Sequence, residues 1–263
     1  MGSQFDDLAL AYESTAVDMA VRQHLEYPSY FEALGDITGL KVLDLGCGSG
    51  VYSRRLRSHG AQRVVGADVS EGMLDYARSR ERREQLGIDY LRRDITRPID
   101  APDPELDGAF DLVAGVYVAP YAPTVEALHG LFRTARRALP ASGGRCVTYV
   151  LNPEAAVTPG YYAEYDFELV AVDGGQQVPD GAPLTLTITL PEHPTFSLTA
   201  YRWSRATQED AARAAGFESL QWIHPKVTDE GLALHGASYW KRYLDCPHTL
   251  ILSCVAAPQT EGK

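Results

Sequence analysis

The chain has 263 residues, enough for one large domain with a full hydrophobic core. Hydrophobic residues make up 45% and charged residues 22%, an ordinary globular composition that excludes wholesale disorder. The formal net charge of −11 argues against nucleic acid as a partner, because surfaces that bind phosphates collect Lys and Arg.

The first half of the chain alternates between patterns that predict helices and strands. Helical spacing covers residues 5–34, 51–59 and 125–139, and Ser70 is placed to cap another helix. Five short apolar runs predict strands at residues 41–45, 63–67, 89–92, 110–116 and 145–150. This alternation predicts a parallel sheet with helices on both faces.

After residue 150 the pattern changes to two-residue alternation. It recurs at residues 162–172, 184–190 and 196–203 and predicts a small antiparallel sheet. Helical spacing returns at residues 208–215, with Thr207 as the expected cap, and strands follow at 219–224 and 248–256. We expect a single domain over 1–263, with a helical cap at 1–37, a core at 38–150, an antiparallel lid at about 155–204 and completion of the core at 205–258.

The four cysteines, at positions 47, 146, 246 and 254, form no CxxC pair. Their spacing suits neither a disulfide framework nor a structural zinc site, so we expect free thiols. The N-terminus lacks the basic-then-apolar layout of a signal peptide, and no apolar run reaches the roughly 18 residues that cross a bilayer. We expect a cytoplasmic protein.

Three glycines follow the first predicted strand. Gly46, Gly48 and Gly50 alternate before the next helix, where glycine lets the backbone approach a ligand without interference from a Cβ atom. A dinucleotide site would show the spacing G-x-G-x-x-G instead. Asp44 also argues against a dinucleotide, because a carboxylate there repels a pyrophosphate and suits the ammonium of a methionine moiety. The charges favour S-adenosylmethionine, which has an ammonium, a sulfonium and no phosphate.

Carboxylates also end the second and third predicted strands. Asp68 can accept hydrogen bonds from both hydroxyls of a ribose, and Asp94 can accept one from an adenine amino group. Met73 can pack on the adenine ring or simply fill the core. Together these residues predict a ligand that contains adenosine.

The run from Asp44 to Gly50, with Asp68, Asp94 and residues 110–113, resembles the class I S-adenosylmethionine-dependent methyltransferases over about residues 38–150. The resemblance implies an α/β, Rossmann-like fold: a seven-stranded, mostly parallel sheet whose last strand is inserted antiparallel, with the small antiparallel sheet as a lid. It implies S-adenosylmethionine as cofactor and S-adenosylhomocysteine as product. The implied cofactor-binding residues are Tyr12, Asp44, Gly46, Cys47, Gly48, Gly50, Asp68, Val69, Met73, Asp94, Ile95 and Val116.

The C-terminal half resembles the toxoflavin-synthase-like methyltransferases of bacterial secondary metabolism. This resemblance rests on residues 201–204, on 215–217 with Trp222, and on 236–240. It implies that the methyl acceptor is a nitrogen heterocycle.

The acceptor should meet the methyl group just after the fourth strand, where the chain has Gly115-Val116-Tyr117-Val118. This segment departs from the [Asn/Asp]-Pro-Pro-aromatic motif of the methylases that act on DNA, ribosomal RNA and glutamine. Planar walls suit an aromatic or heterocyclic acceptor. The candidate substrate-binding residues are Tyr117, Tyr121, Tyr201 and Trp203.

The sequence identifies no catalytic base, because much of the rate of a methyl transfer can come from positioning alone. His224 and Tyr117 are the candidates for such a base. Asp103, Glu105 and Asp107 form no convincing metal-binding cluster, so no metal is expected.

These residues predict an enzyme that transfers a methyl group by in-line displacement to N or O of a small heterocyclic or aromatic metabolite of natural-product biosynthesis. One alternative is a cofactor-binding protein without methyl transfer, a scaffold or a cyclase. An NAD-dependent oxidoreductase and a protein methyltransferase are the others. We expect a small-molecule substrate, no nucleic-acid or membrane partner, and a monomer or homodimer.

Overall fold

The computed structural model describes residues 3–97, 101–175, 177–191 and 193–258. In these ranges the helices are α1 (Ala9–Asp18), α2 (Tyr27–Leu34), α3 (Val51–Ser58), α4 (Glu71–Glu84), α5 (Val125–Ala138), α6 (Arg205–Ala214) and α7 (Asp229–Asp245), with one turn of π-helix at Arg22–Glu26. The strands are β1 (Lys41–Leu45), β2 (Arg63–Asp68), β3 (Ile88–Arg92), β4 (Leu112–Val116), β5 (Gly144–Leu151), β6 (Phe167–Ala171), β7 (Pro183–Ile188), β8 (Phe196–Tyr201), β9 (Phe217–Ile223) and β10 (Thr249–Ala256).

Seven strands form the main sheet, in the order β3-β2-β1-β4-β5-β10-β9. The first five are parallel, and β10 lies antiparallel between β5 and β9. This confirms the expected mostly parallel sheet with an inserted antiparallel strand. Because the parallel strands β1, β2 and β4 all end at one edge, the loops that follow them meet there.

Both faces of the sheet are covered by helices because its central strands are apolar on both sides. Leu43 and Val65 face α5 and α6, and the alternate residues Val42 and Val64 face α2, α3 and α4. Every residue of β4 is buried. In the described parts of the chain no helix is both long and apolar enough to cross a membrane.

The second sheet is small and antiparallel, in the order β6-β7-β8, as the two-residue alternation predicts. Its apolar face packs against α7 and the segment before α2, through Trp240, Tyr243 and Leu25 among others. The sheet is therefore built onto the N-terminal and C-terminal helices, and it also meets Tyr121 in the turn that follows β4.

Two features of the C-terminal half differ from the sequence-based expectation. The cap of α6 is Ser204 and not Thr207: the Ser204 hydroxyl accepts a hydrogen bond from the Thr207 N–H at 3.2 Å. Ser204 and Thr207 lie one turn apart and both carry a hydroxyl that can cap a helix, so the local sequence does not show which of them is the cap. Helix α7, interrupted at Gly236, was not predicted, because exposed and apolar residues alternate irregularly along it.

Tyr30 ties helix α2 to the centre of the main sheet. Its side chain is fully buried, its hydroxyl donates to the Val147 carbonyl at 2.8 Å, and it accepts from the Gly115 N–H at 2.9 Å. The hydroxyl thus bonds to backbone groups of both β4 and β5.

We predict that Tyr30→Phe lowers the free energy of unfolding by about 1–3 kcal/mol, because it removes the buried hydroxyl that bonds to the Gly115 N–H and the Val147 carbonyl. Urea unfolding measures the loss. Tyr27→Phe is the matched control, since the Tyr27 hydroxyl contacts only exposed His59, at 3.3 Å. Equal stability of the two variants would contradict the role given to Tyr30.

Candidate ligand-binding site

A cavity of about 280 Å³ lies at the carboxyl ends of β1, β2 and β4. Of the residues singled out from the sequence, those that line it are Tyr12, Asp44, Gly46, Cys47, Gly48, Asp68, Val69, Met73, Ile95, Val116, Tyr117 and Tyr121. The other lining residues are Ser3, Gln4, Phe5, Ala16, Arg22, Ser49, Val51, Tyr52, Thr96 and Val118. The structure therefore brings together residues that are more than 100 positions apart in the sequence.

The three glycines of the turn after β1 all have a left-handed backbone, with φ of +70° at Gly46, +53° at Gly48 and +79° at Gly50. A Cβ atom on Gly46 would lie 2.6 Å from Val118, and one on Gly50 would overlap the Tyr90 ring. At Gly48 the nearest atom would be the Met73 sulfur, at 3.9 Å. Gly46 and Gly50 therefore serve close packing, and of these three glycines only Gly48 has open space where a Cβ atom would lie.

Asp44 is the buried acid of the cavity. It is 1% exposed, and the Ser53 hydroxyl donates to its Oδ2 at 2.5 Å. Burial raises the pKa of Asp44 to about 7, although the Ser53 hydrogen bond opposes the shift. Because the Asp44 carboxyl group is difficult to ionise here, a cationic ligand would stabilise its ionised form.

Asp68 holds the glycine turn through its carboxylate. It accepts hydrogen bonds from the Gly48 N–H at 2.8 Å and from the Ser70 N–H at 2.9 Å. Burial raises its pKa against the effect of these two bonds. A carboxylate has about four lone-pair sites, so two remain for the hydroxyls of a ligand.

Five of the residues predicted from the sequence do not line the cavity. Asp94 accepts from the Thr96 hydroxyl at 2.7 Å and pairs with Arg97 at 2.9 Å, and only the neighbouring Ile95 and Thr96 reach the cavity. His224 is exposed, at the end of β9. The remaining three, placed by their packing in the core of the main sheet or against Tyr90, are Gly50, Tyr201 and Trp203.

The structure shows why the side chains of Trp203 and His224 lie outside the cavity. The indole of Trp203 is 6% exposed and donates to the Ala122 carbonyl at 3.1 Å, so this ring belongs to the core. His224 leaves the main sheet at the edge strand, away from β1 and β4. Both side chains, and that of Tyr201 with them, therefore lie outside the cavity.

The cavity is covered by the N-terminal segment, residues 3–12, which sequence reasoning did not identify apart from Tyr12. The Phe5 ring contacts Tyr121 edge-on, with centroids 4.8 Å apart, and Tyr12 at 6.4 Å. The Gln4 side-chain amide binds the backbone of Thr199 in β8, accepting from its N–H at 3.0 Å and donating to its carbonyl at 3.2 Å. The small sheet therefore acts on the cavity by holding this cover.

Glu13 anchors the same segment to the glycine turn. It is 8% exposed and accepts from the Ser49 hydroxyl at 2.8 Å, from Arg80 at 3.0 Å and from Arg54. One acid thereby joins α1 to the turn, α3 and α4. No local sequence pattern marks it, since Glu13 resembles any polar residue of a surface helix.

Tyr117 occupies the end of β4 in a strained conformation. Its φ is +60°, a value that non-glycine residues rarely adopt and that occurs most often at functional sites. The side chain is 7% exposed, and the Arg22 guanidinium lies over its ring, 5.0 Å from the centroid. Sequence reasoning found Tyr117 but missed Arg22, whose only signal is a charge directly after the apolar residues 19–21.

Comparison with known proteins identifies the central part of the chain. Residues 42–143 match the family of methyltransferase domains. A ubiquinone biosynthesis O-methyltransferase of Coxiella burnetii is 38% identical over 96 residues, which are 35% of this chain and 40% of that enzyme. A malonyl-[acyl-carrier protein] O-methyltransferase of Yersinia pestis is 44% identical over 77 residues, 29% of this chain and 27% of that enzyme.

Among solved structures, an S-adenosylmethionine dependent methyltransferase of Mesorhizobium loti is 27% identical, with a TM-score of 0.59, over 88% of this chain and 97% of that one. The chain spans less than half the length of the two curated relatives. These matches confirm the class I methyltransferase resemblance and, with it, S-adenosylmethionine as the cofactor. They do not test the resemblance to the toxoflavin-synthase-like enzymes.

The ionisation of Asp44 predicts a pH dependence of cofactor binding. Because the pKa of Asp44 is raised to about 7, its protonated, neutral form predominates at lower pH and cannot pair with an ammonium group. Affinity for S-adenosylhomocysteine is therefore expected to fall by up to about tenfold per pH unit below that pKa and to level off above it. Isothermal titration calorimetry at pH values below and above this pKa measures the change in affinity.

Two comparisons isolate the role of Asp44. 5′-Methylthioadenosine lacks the ammonium, so its affinity should not follow this profile. Ser53→Ala removes a hydrogen bond to the ionised carboxylate and should move the midpoint to higher pH. A flat profile for S-adenosylhomocysteine would contradict the pairing of Asp44 with its ammonium.

The cover gives a second prediction, through Gly72 in the first turn of α4. A Cβ atom there would overlap the backbone carbonyl of Asp6. Gly72→Ala should displace residues near Asp6 and weaken S-adenosylhomocysteine binding about three- to tenfold through faster release, because a pre-organised cover is lost. Asp75→Ala, on the exposed face of the same helix, is the control for stopped-flow release. Unchanged release in Gly72→Ala would show that the cover does not retain the ligand.

Proposed function

Since the chain carries a class I S-adenosylmethionine-dependent methyltransferase domain, we propose that it transfers the methyl group to N or O of a small, ring-containing metabolite. The observation that carries the proposal is the covered cavity at the ends of β1 and β4. Asp44, Asp68 and the glycine turn line it together with several aromatic rings. The cover formed by residues 3–12 favours a small acceptor over a folded protein or a duplex.

The cavity suits the cofactor along its whole length. Asp44 suits the ammonium, and the open backbone at Gly48 leaves space for the methionine chain. Asp68 retains lone pairs for the ribose hydroxyls, and Met73 with Ile95 offers an apolar surface for the adenine. When bound, S-adenosylmethionine supplies an electrophilic methyl group on its sulfonium.

The residues around the acceptor end orient it and exclude water. Burial raises the pKa of Tyr117 well above its ordinary value, so at neutral pH this phenol can donate a hydrogen bond but cannot take a proton. His248 does not line the cavity but stacks beside the Tyr117 ring, with centroids 6.1 Å apart; burial and nearby Arg22 lower its pKa to about 3, so its imidazole stays neutral. Neither group is poised to act as a general base at neutral pH, which favours catalysis by positioning.

Aromatic side chains define the acceptor class. Phe5, Tyr12, Tyr117 and Tyr121 all line the cavity, and flat rings pack well against one another in offset or edge-on geometry. A heterocyclic or aromatic acceptor of natural-product biosynthesis fits these walls. The toxoflavin-synthase-like segments identified in the sequence lie outside the cavity and add support only through that resemblance.

A thermal-shift titration with S-adenosylhomocysteine tests cofactor binding, with NAD as the control. A ligand at about 100 times its dissociation constant stabilises the fold by about 2.7 kcal/mol. We expect a rise in Tm with S-adenosylhomocysteine alone. A rise with NAD alone would refute the assignment of the cavity.

Transfer itself is tested by incubating the protein with cofactor that carries a labelled methyl group and a panel of hydroxylated and nitrogen-containing heterocycles. We expect label in at least one acceptor. Label in none of them, together with tight cofactor binding, would favour the alternative of a binding protein or cyclase.

Asp68→Ala should reduce binding of the cofactor by about 1.5–3 kcal/mol, because it removes the acceptor of the ribose hydroxyls and the support of the turn.

A further inference from the structure

Helix α7 carries an exposed apolar segment on its outer side. Leu232 and Leu234 are 39% and 65% exposed, and Ala233 and Ala237 beside them are exposed as well. Of the nine large apolar side chains that are exposed in the described ranges, three lie on α7. Exposed apolar side chains that are adjacent, unlike single ones, mark a contact surface.

The inner side of α7 holds the helix firmly in place. Trp240 and Tyr243 are buried against the small sheet, and the Trp240 indole donates to the Gly231 carbonyl at 2.8 Å. Gly231 lies so close to the preceding π-helical turn that a Cβ atom on it would be 2.6 Å from the His24 Cβ. Because α7 is fixed on this side, its outer apolar residues cannot turn inward and stay exposed to solvent.

The exposed charges of α7 are divided between its two ends. The acids Asp229 and Glu230 begin the helix, and the bases Lys241 and Arg242 lie near its end. This division stabilises the helix itself through its dipole. It also makes the helix complementary to an antiparallel copy of itself, because the acidic end of each then faces the basic end of the other. With two bases and three acids, α7 is nearly neutral in a chain of net charge −11, so two copies can meet here with little repulsion.

The spacing of these residues is symmetric about the middle of the helix. Glu230 precedes Leu234 by four residues, and Lys241 follows Ala237 by four. In an antiparallel pair with Leu234 of one copy opposite Ala237 of the other, Glu230 of each copy therefore meets Lys241 of the other. A two-fold contact between identical chains requires this self-complementarity. Gly236, where the helix is interrupted with φ of +78°, lies beside the axis, and a glycine there lets the two backbones approach closely.

We propose that α7 is the contact between two copies of this chain, packed antiparallel about a two-fold axis at Leu234 and Ala237. The apolar side chains at the centre supply the affinity, and the ion pairs at the rim set the direction. None of the described residues that line the cavity belongs to α7, so the contact does not use the cavity. A contact made chiefly by one helix per partner is smaller than the standard interface of roughly 800 Å² per partner, so the dimer is weak and exchanges rapidly.

Sedimentation velocity of the full chain over a range of concentrations measures the association. Leu234→Asp places a carboxylate at the centre of the contact and should raise the dissociation constant of the dimer about tenfold or more. Val17→Asp is the matched control, because Val17 is 59% exposed on α1 and its replacement adds the same charge outside the contact. Since both side chains are exposed, neither substitution should change the Tm of the dilute protein, and circular dichroism checks this.

Two charge reversals test the antiparallel direction. Glu230→Lys and Lys241→Glu each place like charges at both ends of the contact, so each variant alone should associate more weakly than the wild type. Mixed in equal amounts, the two variants should form a heterodimer, because each end of the contact then joins a base to an acid. An effect of the substitutions on the helix itself cannot produce this recovery in the mixture.

The proposal is overturned by any of three results. The first is a wild-type chain that stays monomeric up to about 1 mM, where even a weak dimer would be populated. The second is equal association of Leu234→Asp and Val17→Asp, which would place the contact elsewhere on the chain. The third is a mixture of the two charge variants that associates no better than either variant alone, which would exclude the antiparallel pairing of α7.

Discussion

The left-handed turn between β1 and α3 is the constraint on which the site depends. It directs the Gly48 N–H onto the Asp68 carboxylate and so fixes the ends of β1 and β2 relative to each other. It also offers the Ser49 hydroxyl to Glu13, which brings α1 and the segment before it over the cavity. One backbone conformation, available at little cost only to glycine, thus shapes both the floor of the cavity and its cover.

The sequence predicted the main sheet and the cofactor half of the site because both have local signatures. Central parallel strands are continuous apolar runs, and the glycines with Asp44 and Asp68 lie within 25 residues of one another along the chain. Their roles could be read from charge and backbone freedom alone. Even there the structure adds detail: Gly50 packs on Tyr90, and Asp94 caps its own turn, so that of the predicted pair Asp94 and Ile95 only Ile95 lines the cavity.

What the sequence did not disclose depends on contacts between distant segments. Arg22 and Glu26 stand four residues apart, a spacing typical of a solvated helical pair, yet both are buried. Aromatic residues of the C-terminal half were natural candidates for a substrate wall, but Trp203 faces the core of the main sheet and the wall is built by Phe5 and Tyr12. Composition cannot distinguish an aromatic ring in a core from one beside a ligand, because both environments favour it.

The pairing of Gln4 with Thr199 has a consequence for solubility. β8 is an edge of the small sheet, and an edge strand with free N–H and carbonyl groups is a template for pairing with another chain. The Gln4 amide occupies both groups of Thr199 and so imitates a missing strand at that point. Opening of the N-terminal segment would expose the edge, so a bound ligand that keeps it closed also protects the protein against aggregation.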